Sequence, residues 1–236
     1  MCGIAVETQR VRSLSLNVAG WERHLPGQHV DIRLTAENGY QAQRSYSIAT
    51  PPEEDVPGLT VERVIDGEVS PYLVDEVKVG DQFELRGPIG GHFVWTVAAG
   101  GPIFLIAGGS GIVPLMAMLR HRRRQNDHTP AVLIYSARSM EDIIYRKELD
   151  ELASNDSNLR VVIALTRVQP QGWKGHRGRI DESLLVHAGF PARDTPTNFI
   201  CGPTSFVEYI SALLIELGHH ERSIKTERFG PSGPVR

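Results

Sequence analysis

Arg44-Ser45-Tyr46-Ser47 sets a cation, an aromatic ring and two hydroxyls on one short extended segment. Further along, Gly67-Glu68-Val69-Ser70 supplies a glycine turn and a serine just ahead of an expected helix at Pro71-Tyr72-Leu73-Val74. A flavin dinucleotide needs such an assortment. Its pyrophosphate asks for a positive charge and free backbone N–H groups, its ring for a flat partner, and its reactive nitrogen for a nearby polar group. Each cluster alone is made of common residues, and the signal lies in the pair.

A second chemistry begins at Gly108-Gly109-Ser110-Gly111-Ile112-Val113-Pro114. Glycines let the chain turn sharply and bring bare N–H groups against a diphosphate, while a following helix adds partial positive charge at its N-terminus. Pro114 suits a first helical turn, where no donor is required. The spacing is G-G-S-G rather than G-x-G-x-x-G, so in isolation the motif reads equally well as a tight strand-to-helix turn. Cys201-Gly202-Pro203 closes a later apolar run. At the carboxyl end of a parallel strand that cysteine would face a ligand crevice, although a small buried residue is the plainer reading. No general base stands beside it in sequence, so it is not read as a thiol nucleophile.

The elements that must hold these residues follow two rhythms. As far as about Trp95 the apolar residues alternate: Leu14, Leu16 and Val18, then Val30, Ile32 and Leu34, then Phe83 and Leu85. Period two indicates strands with one buried face, and the turns at Pro26-Gly27, Glu37-Asn38-Gly39 and Asp66-Gly67 fall at all-β spacing. An antiparallel barrel or sandwich is expected. Near Gly100-Gly101-Pro102 the pattern changes to continuous apolar runs, 103–107, 131–135, 161–165 and 198–201, alternating with helical stretches at 115–119, 145–152 and 206–217. Ile224 to Glu227 reads as a last strand, and the Gly/Arg-rich stretch 169–179 as a long loop. This alternation predicts a parallel sheet covered by helices on both faces.

Composition narrows the function classes. Hydrophobic residues make up 41% and charged residues 22% of the 236, an ordinary globular balance. A net charge of -3 gives no reason to expect nucleic acid or an anionic membrane as a partner. No apolar run reaches the roughly 18 residues of a membrane helix. The start of the chain shows no secretory signal. Two cysteines, Cys2 and Cys201, are too few for a disulfide framework or an iron–sulfur cluster, so a reduced cytoplasmic protein is expected. The nine histidines show no paired metal-ligand spacing, and no G-x-S-x-G elbow is present. No metal site is expected.

Taken in order, R-x-Y-S at Arg44–Ser47, G-x-x-S at Gly67–Ser70, G-P-x-G at Gly87–Gly90, the G-G-S-G-x-x-P loop at 108–114 and C-G-P at Cys201–Pro203 resemble the signature of the ferredoxin–NADP reductase superfamily over nearly the whole chain. The likeness implies a six-stranded antiparallel Greek-key barrel for FAD over residues 1–98. It also implies a five-stranded parallel nicotinamide-dinucleotide domain over 99–236, with a C-terminal tail that covers the flavin. In this likeness Arg44 and Ser45 belong to the FAD site, Tyr46 packs on the flavin and Ser47 lies near N5. Gly67, Val69 and Ser70 cradle the pyrophosphate. Gly109, Ser110 and Gly111, with Gly202, receive the nicotinamide dinucleotide. Cys201, with Glu227 near it, stands at the nicotinamide, and Phe229 is the aromatic that covers the flavin and moves aside.

A 2′-phosphate calls for a cluster of arginines. Arg138, Arg167 with Thr166 before it, and Arg179 are the candidates, so NADPH is expected, with NADH as the alternative suggested by nearby Glu141 and Asp142. FMN is the alternative to FAD. The activity implied is hydride transfer from NADPH to FAD, then single electrons to a separate carrier such as ferredoxin or flavodoxin. The alternatives are a reductase component of a multicomponent oxygenase, a free-flavin reductase, or a flavin electron-transfer subunit without nicotinamide turnover. His121-Arg122-Arg123-Arg124 either docks an acidic carrier or simply complements a helix end. Longer relatives continue into an iron–sulfur domain whose cysteines this sequence lacks, so a stand-alone reductase is expected.

Overall fold

The computed structural model describes residues 1–230; Pro231 and the remainder of the expected C-terminal tail lie outside them. By its internal contacts the chain divides into two compact units, Met1–Ala99 with Val113–Asp127, and Gly100–Ile112 with the chain from His128 onward.

The first unit carries six strands: β1 (Gly3–Thr8), β2 (Val11–Ser15), β3 (His29–Thr35), β4 (Gln41–Ser47), β5 (Gly58–Glu62) and β6 (Glu84–Ile89). They form two three-stranded antiparallel sheets, ordered β1-β2-β5 and β4-β3-β6. The alternation seen in sequence is the cause. Val30 and Ile32 on β3 and Leu59 and Val61 on β5 are almost wholly buried, and Leu14 joins them. Full burial of each such aliphatic side chain is worth about 1.5–3 kcal/mol. The helix expected after Ser70 is a single wide turn, Tyr72–Glu76, that buries Leu73 and Val74 in the same core.

Helix α1 (Ile112–Arg124) belongs to this unit from Val113 onward. Its second half is fastened to the segment that follows β4. Arg120 Nη1 donates to the carbonyl of Ala49 at 2.7 Å, and His121 Nδ1 lies 2.7 Å from Glu53 Oε1. Gln125 donates to the same Glu53 oxygen at 2.6 Å, and Arg124 to Glu54 at 3.0 Å. Arg122 is buried and its Nε lies 4.0 Å from Asp127. The run 121–124 is therefore engaged at three positions with carboxylates of its own unit and fastens α1 to it. Trp95 meets the His121 ring edge-on, with centroids 6.0 Å apart.

The second unit is a parallel sheet of β7 (Ile103–Gly108), β8 (Ala131–Ala137), β9 (Leu159–Leu165), β10 (His176–Arg177), β11 (Thr197–Pro203) and β12 (Ile224–Phe229). Helices α2 (Arg146–Asn155), α3 (Glu182–Ala188) and α4 (Thr204–Glu216) accompany it. The strand order is β10-β9-β8-β7-β11-β12, all parallel. Six strands replace the expected five. The extra one, β10, is a two-residue strand within the 169–179 stretch, too short to show any periodicity. Strand β7 is buried at every position, as a strand covered on both faces must be. Helix α2 begins one residue later than its pattern suggested, because Tyr145 adopts a left-handed φ of 59°.

Candidate functional site

Strand order places the second unit's site. From β7 the chain steps outward through β8, β9 and β10, then returns to add β11 and β12 on the other side. The reversal lies between β7 and β11, and ligands of such sheets bind outside the carboxyl ends of the strands at that point. Two of the sequence motifs meet there. Ala107 on β7 is opposite Cys201 on β11, and Gly109–Gly111 forms a short turn leading straight into α1. A Cβ on Gly111 would sit 2.1 Å from the Cys201 carbonyl oxygen, and Gly109 has a φ of +56°. Only glycine allows both, so the loop is drawn tightly onto the end of β11. Cys201 is buried, and Gly202 leaves room for the ring of Phe206.

Beside Cys201, Glu227 of β12 stands at the paired register position. Burial pushes the Glu227 carboxyl up to about 7. Burial likewise pushes the Cys201 thiol well up, and the neighbouring Glu227 charge adds to the shift. Phe229, at the end of β12, is exposed opposite Pro203.

Farther along the same carboxyl edge, Thr166 and its hydroxyl bind the Ala137 carbonyl, and the amides of Arg167 and Val168 bind the Arg138 carbonyl. These bonds join the ends of β8 and β9, with Arg138 and Arg167 exposed on either side. Arg179 follows β10 and is also exposed. None of the three guanidiniums has an ion-pair partner among the described residues.

In the first unit, β4 carries the R-S-Y-S cluster. Arg44 and Tyr46 lie opposite Ile32 and Val30 of β3, and Ser45 and Ser47 opposite Asp31 and His29. Tyr46 packs against the barrel core, and its burial raises the phenol pKa. Ser45 donates to Asp31 at 2.6 Å. The loop from Val64 to Ser70 is closed by the Val64 amide on the Ser70 hydroxyl at 3.0 Å and by the Gly67 amide on the Val64 carbonyl at 3.1 Å. A Cβ on Gly67 would lie 2.9 Å from Ser70 Oγ, so the cradle depends on that glycine.

Sequence reasoning missed Glu68 and Tyr40. Arg44 Nη2 donates to Glu68 Oε2 at 2.7 Å, and the Tyr40 hydroxyl donates to the other Glu68 oxygen. The Tyr40 hydroxyl holds the Glu68 carboxyl below the usual carboxylate range, and Arg44 adds to this. An acidic residue inside G-x-x-S, with one arginine upstream, was the available signal.

A glycine turn thus stands at the switch point of the parallel sheet, and a cation, a ring and a glycine-bounded loop stand on the small antiparallel unit. Residues 6–95 match the model of the oxidoreductase FAD-binding domain, and residues 105–212 that of the oxidoreductase NAD-binding domain. The chain belongs to the ferredoxin–NADP reductase-like family. It is 34% identical over 215 residues to the glycine betaine monooxygenase reductase subunit of Pseudomonas aeruginosa strain UCBPP-PA14, covering 89% of this chain and 57% of the relative. It is 34% identical over 202 residues to NADH-cytochrome b5 reductase 1 of Aspergillus terreus, covering 82% and 67%. The flavohem-like FAD/NAD-binding domain of nitric oxide dioxygenase from Vibrio cholerae superposes with a TM-score of 0.86 at 27% identity, covering 97% and 96%. The chain spans little more than half the length of the monooxygenase reductase subunit it matches. Among the described residues no helix is long and apolar enough to cross a membrane.

Proposed function

We propose that this chain is an NADPH-dependent flavoprotein reductase, with the flavin held by residues 1–98 and the nicotinamide dinucleotide by 99–236. The switch-point contact of Gly111 with the end of β11 supports this reading most directly, because it sets a tight glycine turn beside Cys201 where sheets of this kind bind ligands. When bound, FAD would supply the conversion of a hydride from NADPH into single electrons for a separate carrier.

The residues present fit both groups. Tyr46 offers a ring, Ser47 a hydroxyl and Arg44 a cation. The Ser70 hydroxyl, which accepts from Val64, keeps its own proton to donate to phosphate, the Val69 amide lies beside it, and Gly67, its amide on the Val64 carbonyl, shapes the turn. Gly109, Ser110, Gly111 and Gly202 hold the nicotinamide dinucleotide's phosphates. Arg138, Arg167 and Arg179, with Thr166 shaping the β8–β9 junction, meet the 2′-phosphate. Cys201 and Glu227 border the nicotinamide, the first as an uncharged thiol that excludes water and the second as a carboxyl able to hold or release a proton near neutrality. Phe229 is the aromatic displaced when nicotinamide enters.

A second reading, a reductase component serving an oxygenase, is favoured by the monooxygenase reductase relative. Anaerobic titration of the flavin-loaded protein with NADPH and NADH separates the outcomes. Bleaching by NADPH at lower concentration supports the assignment; no bleaching by either refutes it. Steady-state rates with ferredoxin, flavodoxin, a terminal oxygenase and free FMN as acceptors then identify the carrier.

A further inference from the structure

Arg44 does not present a bare cation. Besides its bond to Glu68 Oε2 at 2.7 Å, its Nη1 donates to the Gln43 carbonyl at 2.7 Å. Glu68 is held in turn by the Tyr40 hydroxyl, so one carboxylate links the turn before β4, β4 itself and the 64–70 loop. All three side chains are accessible to a ligand: Tyr40 is 55% exposed, and the Arg44 and Glu68 side chains 53% and 45%. Between Val64 and Val74 the only charged residues are Asp66 and Glu68, both acidic. Arg63, just before this stretch, is occupied by Asp75 at 2.5 Å.

A dinucleotide's pyrophosphate carries two negative charges. It therefore meets a guanidinium whose charge is already cancelled, in a loop with two carboxylates. We propose that Glu68 is an internal counter-anion of Arg44 that the flavin's phosphates must displace, so that flavin retention is set by competition between this carboxylate and the ligand. The inference rests on the assignment of Arg44 to the flavin phosphates. Displacement does not strand Glu68, because Tyr40 remains as its donor. The bond that is lost is an exposed ion pair, weak enough for a ligand to break.

The test uses protein stripped of flavin and titrated with FAD, FMN and riboflavin, binding being read from flavin fluorescence. Glu68→Gln keeps an acceptor for Tyr40 and removes the charge. It is expected to tighten FAD and FMN about 3- to 5-fold, since Arg44 is released from the competing exposed pair. Riboflavin, which has no phosphate, should shift less than about twofold, and in an Arg44→Gln background the FAD gain should mostly vanish. Thermal melting of the apo-proteins checks that each variant folds, and Glu68→Asp, which keeps the charge, should stay near wild type. Three results would overturn the proposal: FAD affinity unchanged or weaker in Glu68→Gln, an equal gain for riboflavin, or a full FAD gain in the double variant. If Arg44→Gln alone leaves FAD affinity unchanged, the Arg44 assignment fails, and the proposal with it.

Discussion

Cys201 and Glu227 sit side by side across the β11–β12 ladder at paired register positions. A thiol and a carboxyl, each raised by burial, thus share the carboxyl end of the sheet at its switch point. Cys201 stays a neutral thiol at neutral pH, whereas the Glu227 carboxyl, pushed up to about 7 by burial, titrates near neutrality.

The Glu227 carboxyl has a folded pKa of about 7 against 4.5 for the free group, so folding takes up a proton between those values. Its protonated form is favoured in the fold below pH 4.5, and that contribution is lost as pH rises through about 7. Glu227→Gln should remove this dependence and leave the variant more stable than wild type above pH 7. Urea unfolding at pH 5, 6, 7 and 8, with the difference between the two proteins plotted, gives the answer.

His24 and His219 move the other way. Burial lowers both below 6.5, and His24 Nε2 is fixed on the Thr50 carbonyl at 2.8 Å. The unfolded chain then binds more protons below pH 6.5, so stability should fall as pH drops through that value toward the folded pKa values. His24→Gln should flatten part of the acid limb seen in thermal melts between pH 5 and 7.

At the glycine loop, Gly111→Ala should be severe, because its Cβ would occupy space 2.1 Å from the Cys201 carbonyl oxygen. Gly109→Ala forces a side chain into φ +56° and should cost about 1 kcal/mol of stability. Both should raise the Kd for NADP+ by at least about tenfold while leaving FAD binding near wild type, measurable by calorimetry.

If Arg138, Arg167 and Arg179 meet a 2′-phosphate, neutralising any one should raise the KM for NADPH about 10- to 100-fold through loss of a charge-assisted bond. The KM for NADH should change less than about threefold. Equal losses for both cofactors would place these arginines elsewhere in the mechanism.

The α1 clamp yields a stability prediction. His121→Ala leaves Glu53, itself partly buried, with only Gln125, just past α1, of its two side-chain partners. A loss of about 1–3 kcal/mol is expected from thermal or urea unfolding.

The sequence carried what is local. Period-two alternation announced the antiparallel unit, continuous apolar runs announced the parallel strands, and glycine-rich motifs in a fixed order announced the two-domain family. These signals depend on neighbours a few positions apart, and side-chain chemistry fixes them before the chain closes. Strand β10 escaped because two residues make no pattern. The 121–124 cations, legible as charge, were not legible as partners of Glu53 and Glu54, since nothing local specifies which distant carboxylate a helix will meet.

Register and strand order belong to the tertiary structure. They set Ala107 beside Cys201 and Cys201 beside Glu227, and they joined a buried cysteine to a half-buried glutamate. The fold likewise brought Glu68 onto Arg44. Residue types name the charges available, but which charge cancels which depends on distance, and distance between remote residues exists only once the sheets have closed.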